Sequence, residues 1–363
     1  MVAQLPPPSS LGSHALTLAH IAAATGAVVR PGEAAQRSVH RLAPPDQAGP
    51  DALCFVRPSY RGPLSSKAGA RMVESSANHT SFEGPLLVVP VLERALPRLL
   101  ALFRPQWPAW DVASHRSGGG RWVSESARVA PDAQVLPGAM VGPDATIGPG
   151  AWIGPGAVIE PWAVVGEGCR VEAQAVVGWG CVVGARSRIG RGAVVGAEGF
   201  GLGGDGTHLP HVGRVVLGEE VELGALTVVD RATVGETTIG ARCRLDNLVH
   251  VAHSVRLGPD CWVAAQVGIA GSTRIGAGVR IGGQAGIGGH LRVGQGANLA
   301  ARSGVTRSVP AGQTVGGLPA VDIRIWRRAS AALARLPELV RRLRRLEERV
   351  DREPGGGEGD DHV

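Results

Sequence analysis

Two histidines and a glycine lie at related positions in the second half of the chain. Gly271 follows His253, and His290 follows Gly271 at nearly the same interval. An imidazole accepts a proton near neutral pH, and a backbone amide stabilises a developing oxyanion. Together these groups could supply a general base, an oxyanion donor and a contact to substrate or phosphate. The alternative interpretation is a set of surface histidines that have no partner and no chemical role.

Two further residues bear on the chemistry of His253. Asp246 precedes it by seven positions, and its carboxylate could orient the imidazole ring. A metal site is the weaker interpretation. His250 and His253 are three positions apart and should project in opposite senses from a strand. His253 and His290 would lie about 10 Å apart on stacked strands, too far to share a zinc ion.

The structure that positions these groups is indicated by a six-residue period in the sequence. From Val123 to Val195 an aliphatic residue recurs at every sixth position, and a small side chain lies four positions after almost every one. The period breaks over residues 196–214 and resumes from Leu217 to Val305. It predicts a parallel β-helix in which each six-residue unit forms one side and three units form one coil. Coils then stack about 4.8 Å apart, which brings Gly271, three units after His253, next to that histidine.

The flanking segments lack this period and predict separate domains. Residues 1–118 indicate an α/β domain, with a helix and strand over residues 16–29 and a strand and amphipathic helix over residues 86–103. The Ser-Gly-Gly-Gly run at residues 117–120 indicates a linker. Beyond the predicted β-helix at residues 119–319, residues 320–353 predict basic helices that Pro337 divides. Residues 354–363 predict a disordered acidic tail.

Composition supports this architecture and restricts the function. Among 363 residues there are 54 glycines and only 4% aromatics, which fits a β-rich interior of small repeated units. The segment from Arg324 to Arg352 contains ten arginines and four acidic residues, which gives it a net charge of +6. The five cysteines form no CxxC pair, so reduced thiols in a cytosolic protein are expected. No uncharged apolar run reaches the length that marks a membrane-spanning helix, so we expect no integral membrane segment.

Six segments carry a more specific resemblance. The sequence resembles the UDP-3-O-acylglucosamine N-acyltransferases of lipid A biosynthesis, which are hexapeptide-repeat enzymes. That family implies a mainly β fold, a left-handed parallel β-helix with an N-terminal α/β domain and C-terminal helices. The segments are GFG (residues 199–201), LPHVGRVVLGEEVELGALTVVDRA (209–232), DNLVHVAHSVRLG (246–258), AAQVGIAGST (264–273), IGGQAGIGGHL (281–291) and SGVTRSVPAG (303–312). The terminal stretch with WRR (326–328) and LARLPELVRRLRRLE (333–347) resembles the family as well.

The resemblance implies a reaction and assigns roles to residues. The family transfers an acyl chain, usually 3-hydroxylated, from acyl carrier protein to the 2-amine of the sugar nucleotide. By position, His253 resembles the general base, Asp246 its orienting partner and the Gly271 amide the oxyanion donor. The other assignments are substrate binding by His290, near the nucleotide phosphates, and by Tyr60, Phe200 and Asn247, and a contact of Arg307 with the phosphopantetheine arm of the carrier.

The resemblance also implies partners and a location. The family needs no metal and no bound cofactor, because the phosphopantetheine thioester of acyl carrier protein is a co-substrate. It forms homotrimers with sites between adjacent β-helices, in the cytoplasm of Gram-negative bacteria. The basic C-terminal helices would attract the acidic carrier protein. Nucleic acid is not expected as a partner, because aromatic stacking platforms and a reading motif are absent from the sequence.

The N-terminal domain departs from the family pattern. Where relatives carry a stretch near FLxNPKY that holds the uracil, this chain has Cys54 for the aromatic residue, Arg57 for the amide and Ser59 for the lysine, while Pro58 and Tyr60 match. Two alternatives therefore stay open. One is an acyltransferase of the same fold that acts on a different sugar nucleotide. The other is a catalytically inactive β-helical paralogue that acts as a binding scaffold.

Overall fold

The computed structural model describes residues 15–76, 82–105, 115–118, 120–202, 206–317 and 322–350. The chain divides into two compact units, Met1–Gly317 and Leu318–Val363. The first unit contains an N-terminal α/β domain followed by a long β-helix, and the described part of the second, residues 322–350, contains a single helix. This confirms the predicted fold class.

The α/β domain is built on a mixed sheet whose strand order is β2-β7-β6-β5-β4. Helices α1 and α2 pack against each other, and their apolar faces form one buried core with the sheet. The predicted elements over residues 16–29 and 86–103 are both present. The helices are α1 (Leu18–Thr25), a 3-10 turn (Gly32–Gln36) and α2 (Leu92–Leu102), and the strands are β1 (Leu16–Thr17), β2 (Val28–Arg30), β3 (Ser38–Val39), β4 (Arg41–Leu42), β5 (Ala52–Val56), β6 (Ala70–Glu74) and β7 (Leu86–Val89).

The segment predicted as a linker is part of a β-hairpin. Strand β8 (His115–Gly118) pairs antiparallel with β9 (Arg121–Ser124), and Ser117 lies opposite Trp122. Gly120 occupies the turn with φ 74°, a conformation that glycine adopts at little cost. The chain therefore reverses with Gly120 in the turn at the start of the β-helix, because a glycine-rich run serves a tight turn as well as a linker.

Three sheets form the sides of the β-helix over the described residues, and their strands pair in parallel except for β8 with β9. The nine-stranded face contains β10 (Arg128–Val129), β13 (Thr146–Ile147), β16 (Val164–Val165), β19 (Val182–Val183), β22 (Arg214–Leu217), β25 (Glu236–Ile239), β28 (Arg256–Leu257), β31 (Arg274–Ile275) and β34 (Arg292–Val293). The ten-stranded face contains β11 (Gln134–Val135), β14 (Trp152–Ile153), β17 (Arg170–Val171), β20 (Arg188–Ile189), β23 (Glu222–Leu223), β26 (Arg244–Leu245), β29 (Trp262–Val263), β32 (Arg280–Ile281), β35 (Asn298–Leu299) and β37 (Thr314–Val315). The eleven-stranded face contains β8, β9, β12 (Met140–Val141), β15 (Val158–Ile159), β18 (Val176–Val177), β21 (Val194–Ala197), β24 (Val228–Asp230), β27 (His250–Val251), β30 (Gly268–Ile269), β33 (Gly286–Ile287) and β36 (Gly304–Val305).

The six-residue period becomes the interior of this β-helix. The second residue of nearly every strand is aliphatic and buried, and the small corner residues fill the gaps between them. All five cysteines are free and buried, in agreement with the expected reduced thiols. Four of them occupy small-residue corners, and three of these, Cys169, Cys243 and Cys261, each donate to a backbone carbonyl of the next coil at 3.0–3.1 Å.

The insert at residues 196–214 joins the α/β domain to the β-helix. Leu209 and Val212 belong to the buried core of the α/β domain. Arg231 fixes the base of the insert, since its guanidinium donates to the carbonyls of Gly196, Gly213 and Trp179 at 3.0–3.2 Å. The insert therefore holds the loops of the α/β domain over one corner of the β-helix.

The second unit contains one continuous helix, α3 (Ile323–Val350), rather than the two that were predicted. Pro337 lies inside it and removes only one backbone donor, and its carbonyl accepts a hydrogen bond from Arg341 Nε at 3.2 Å. One lost donor does not end a helix of 28 residues. The predicted tail at residues 354–363 lies outside the described residues. Among the helices of the described part, none has the length and apolarity needed to cross a bilayer.

Candidate functional site

One corner of the β-helix aligns the predicted catalytic groups. Strand pairing puts Val251, Ile269, Ile287 and Val305 side by side on successive coils. The residue two positions after each of them occupies the same corner. This corner column consists of His253, Gly271, Gly289 and Arg307.

The imidazole of His253 lies directly on the backbone of Gly271. A Cβ atom built on Gly271 would lie 2.7 Å from His253 Nε2 and 2.8 Å from Cε1. Only a residue without a side chain leaves room for the ring there. The Gly271 carbonyl accepts from the amide of His290 at 3.1 Å, whereas its own N–H donates to no backbone carbonyl among the described residues. That amide is therefore available to a ligand beside the ring.

His253 is held in a half-buried, positively charged setting. Its Nδ1 is buried and has no hydrogen-bond partner among the described residues. Burial lowers the pKa of His253, and the charges of His290 and Arg57 lower it further. The ring of His211 lies 5.1 Å away between centroids. A neutral imidazole is the form that this environment favours, and neutral imidazole is the form that accepts a proton.

The GFG segment packs against these histidines through its two glycines. A Cβ on Gly199 would lie 3.2 Å from Asp230 Oδ2 and 3.4 Å from both His211 Nε2 and His253 Cβ. A Cβ on Gly201 would lie 2.7 Å from His211 Cε1. The glycines let the insert approach the histidines closely, while the Phe200 side chain between them is 86% exposed.

Two groups that sequence reasoning did not single out complete this cluster. His211 is buried, and burial lowers its pKa to about 4. Asp230 is also buried, which raises its pKa, and its Oδ2 lies 3.5 Å from His250 Nε2. The close approach of GFG to them was not readable from spacing, because it depends on how the insert folds back. Among the described residues, no group of three or more His, Cys, Asp or Glu side chains is arranged to hold a metal ion.

The expected contact between Asp246 and His253 is absent within the single chain. Asp246 follows β26 on the ten-stranded face, whereas His253 follows β27 on the eleven-stranded face. The exposed Asp246 carboxylate accepts the amide of Asn247 at 2.8 Å. Seven positions carry the chain to the next side of the triangular coil, so their proximity in sequence does not become proximity in space.

A cavity of about 580 Å³ opens beside His253, between the corner and the α/β domain. His253, His290 and Tyr60 all line it, as do Arg57 and Ser59. The Tyr60 hydroxyl donates to the carbonyl of Pro63 at 2.9 Å, which fixes the ring at the rim. Arg57 is bonded to Glu93 of α2 at 2.8 Å. Cys54, by contrast, is fully buried in β5 and does not line the cavity.

A second cavity, of about 1030 Å³, lies on the ten-stranded face. Asp246 and Asn247 line it, together with Trp262 and Arg280. Asn247 Oδ1 accepts from the amide of Ala225 at 2.7 Å. The predicted substrate-binding residues are therefore divided between two faces of one chain.

Arg307 lies on the corner column of His253, three coils along, or about 14 Å at the usual strand spacing. Its side chain is exposed and lines neither cavity. Three other arginines, at 256, 274 and 292, line the cavity beside His253. Sequence reasoning missed them, although their regular spacing of one coil was a signal that could have found them.

Comparison with known proteins supports the resemblance drawn from the motifs. A family model described as the GMPPB C-terminal domain matches residues 123–237. The chain is 54% identical over 143 residues to the UDP-3-O-acylglucosamine N-acyltransferase of Oleidesulfovibrio alaskensis, covering 39% of this chain and 42% of that protein. It is 60% identical over 143 residues to the enzyme of the same name from Myxococcus xanthus, covering 39% of this chain and 41% of that protein.

A solved structure of the UDP-N-acetylglucosamine acyltransferase from Francisella novicida aligns with a TM-score of 0.44 at 21% identity, covering 55% of this chain and 66% of that one. The matched region spans about two fifths of the length of the curated relatives. Over that region the chain is similar to UDP-3-O-acylglucosamine N-acyltransferases, which confirms the resemblance drawn from its sequence.

Proposed function

We propose that this chain transfers an acyl chain from the thioester of acyl carrier protein to the 2-amine of UDP-3-O-acylglucosamine, a step of lipid A biosynthesis in the cytoplasm of a Gram-negative bacterium. The observation that carries the proposal is the imidazole of His253, stacked on the bare backbone of Gly271 at the wall of a cavity. The high identity to relatives of that name supports the choice of reaction.

In this reaction the sugar amine attacks the thioester carbon, a C–N bond forms and the C–S bond breaks. Nδ1 of His253 is buried, so Nε2 is the nitrogen available to accept the amine proton. The protonated imidazole then returns that proton to the departing phosphopantetheine sulfur. The Gly271 amide donates to the oxyanion of the tetrahedral intermediate, a contribution of about 3 kcal/mol for one such donor.

The remaining predicted residues have binding roles in this proposal. Tyr60, at the rim of the cavity, stacks on the nucleotide base, and His290 contacts the nucleotide phosphates. The exposed Phe200 covers the substrate, and Arg307 contacts the phosphopantetheine arm. The ten arginines between Arg324 and Arg352 attract the acidic carrier protein.

A homotrimer accounts for the division of residues between two faces. In a closed three-fold assembly each subunit presents one face to a different face of its neighbour. The face carrying Asp246 and Asn247 would then meet the corner carrying His253 of an adjacent subunit. The proposed site is therefore shared between chains, with Asp246 oriented toward the histidine of its neighbour.

Complementation between inactive variants tests the shared site. His253→Ala and Asp246→Ala proteins, each inactive alone, are unfolded together and refolded as mixed trimers. Random assembly restores both residues at about one quarter of the sites, so about a quarter of the activity should return. Mixtures that stay inactive contradict a site shared in this way.

Product analysis tests the reaction itself. The purified chain is incubated with a 3-hydroxyacyl carrier protein and UDP-3-O-acylglucosamine, and the product is identified by mass spectrometry. The expected product carries one additional acyl group as an amide at the 2-position.

The same assay decides between the proposed reaction and its alternatives. Because Arg57 and Ser59 replace the amide and lysine that relatives use, the substrate panel includes other amino- and hydroxy-sugar nucleotides. Acylation of one of those in place of UDP-3-O-acylglucosamine supports the first alternative. Binding of nucleotide sugars without turnover of any supports the scaffold.

A further inference from the structure

Three arginines form a ladder on the nine-stranded face. Strand pairing puts Arg256 beside Arg274 and Arg274 beside Arg292, each as the outward residue of a two-residue strand. Consecutive rungs of such a sheet are about 4.8 Å apart, so the three Cα atoms span about 10 Å. Like charges at this spacing repel one another, and the arrangement costs stability unless an anion lies against it.

The ladder has no internal counterion among the described residues. Arg188 and Arg244, outward residues of the ten-stranded face, are paired instead: Arg188 contacts Glu172 at 2.6 Å and Arg244 contacts Glu222 at 2.6 Å. No carboxylate of the described residues forms an ion pair with any of the three ladder arginines. The charges of Arg188 and Arg244 are neutralised within the fold, as is the charge of Arg214 on the ladder's own face, whereas the three ladder charges are left open.

The cavity around the ladder is cationic and adjoins the proposed base. All three ladder arginines line the same cavity as His253 and Tyr60. Arg57 and Arg61 line it as well. Of the two carboxylates there, Glu236 is already bonded to Arg214 at 2.6 Å, and Asp46 makes no ion pair with the ladder.

We propose that Arg256, Arg274 and Arg292 form a subsite for the diphosphate group of a nucleotide ligand. Each guanidinium group can donate two parallel hydrogen bonds to the oxygens of one phosphate. A row of three such groups therefore fits a ligand with two adjacent phosphoryl groups better than it fits a ligand with one. This subsite supplies the positive charge that Ser59, in the place of a lysine, cannot provide. The ligand then has its base at Tyr60 and its diphosphate on the ladder.

The position of the ladder also orients the rest of the ligand. Each arginine follows the corner column by three positions, so the ladder begins on the far side of the corner that carries His253 and Gly271. A sugar attached to the diphosphate therefore reaches the imidazole around that corner. The identification of this ligand as a sugar nucleotide with a reactive amine rests on the proposed function, whereas binding of a nucleoside diphosphate does not.

Calorimetric titration of the full-length protein tests the subsite with UDP, uridine and pantetheine 4′-phosphate as probes. Arg274→Gln removes the middle rung, and Arg128→Gln is the matched control, because Arg128 is an exposed, outward residue of the same face, in β10. We expect Arg274→Gln to weaken UDP binding about tenfold or more. Uridine binding should not change, and Arg128→Gln should bind UDP like the unaltered protein.

Three results would overturn the subsite. One is equal UDP affinity for Arg274→Gln and Arg128→Gln. The second is uridine binding as tightly as UDP to the unaltered protein. The third is a loss confined to pantetheine 4′-phosphate, which would assign the ladder to the carrier arm instead. UDP binding requires no turnover, so a protein that binds UDP through the ladder but acylates no UDP-3-O-acylglucosamine keeps this inference and loses the proposed function.

Discussion

Adding one methyl group at Gly271 should disable the proposed base without harming the fold. In Gly271→Ala the new Cβ would lie 2.7 Å from His253 Nε2, whereas ordinary non-bonded contacts are about 3.5 Å or longer. The imidazole must move by about 0.8 Å or rotate away. A displacement of about 1 Å in a catalytic group costs about 100-fold in rate, or about 2.7 kcal/mol of barrier.

The backbone at Gly271 gives no reason for instability. Its φ does not lie in the left-handed region that glycine favours, so alanine fits the local conformation. Replacing glycine at a compatible position stabilises by about 0.4–1 kcal/mol, because the unfolded chain loses conformational freedom. We therefore expect an unchanged or slightly raised melting temperature together with about a 100-fold lower kcat.

Gly283→Ala is the matched control. Gly283 occupies the same position in a neighbouring corner, two positions after Ile281, and a Cβ there would lie 3.3 Å from the Ala265 carbonyl oxygen with no histidine nearby. Steady-state acyl-transfer kinetics and thermal unfolding are measured for both variants. Equal activity of Gly271→Ala and Gly283→Ala, or a loss of activity in Gly271→Ala that matches a loss of folded protein, would contradict displacement of the His253 ring.

Three further predictions follow from the buried charges. Burial lowers the pKa of His253, and His290 and Arg57 lower it further, so the acid limb of the pH profile of kcat/KM should lie below pH 6.5. In His290→Gln the acid limb should move to higher pH, and an acid limb that does not move would contradict the role of His290 in lowering this pKa. Burial lowers the pKa of His211 from 6.5 to about 4. As the pH falls from 6.5 to 4, the imidazole is therefore protonated in the unfolded chain but not in the folded one, and the free energy of unfolding should fall by about 3 kcal/mol. The free energy of unfolding, measured with urea at several pH values in this range, should depend less steeply on pH in His211→Gln than in the unaltered protein. An equal dependence on pH would contradict this prediction. Arg231→Met leaves three carbonyls without their donor and should lower the free energy of unfolding, measured with urea, by about 3 kcal/mol or more. The exposed control Arg128→Met should lower it by less than about 0.5 kcal/mol.

The β-helix could be predicted well because the six-residue period of the sequence corresponds directly to the three sides of each coil. Each buried aliphatic residue, from Val123 onward, corresponds to one side of a coil, and three such sides return the chain to the same face. The stacking of Gly271 on His253 followed from that arithmetic alone. Regular structure of this kind is read from spacing without knowledge of distant contacts.

The single chain departs from what the sequence suggested where position depends on how the chain turns. Asp246 is close to His253 in sequence, but a corner separates the two faces that carry them. His211 reaches His253 only because the insert folds back and packs Leu209 and Val212 into the α/β domain. Pro337 was expected to divide a helix that continues through it. None of these outcomes is encoded in a local repeat.

In the proposed reaction, His253 removes the proton from the attacking amine. Single-turnover kinetics of His253→Ala with acyl carrier protein thioester and UDP-3-O-acylglucosamine tests it most directly, with UDP affinity measured in parallel. We expect at least about a 100-fold loss of the acyl-transfer rate, with UDP affinity within about twofold of the unaltered protein. An unchanged transfer rate in a folded, UDP-binding variant would contradict it.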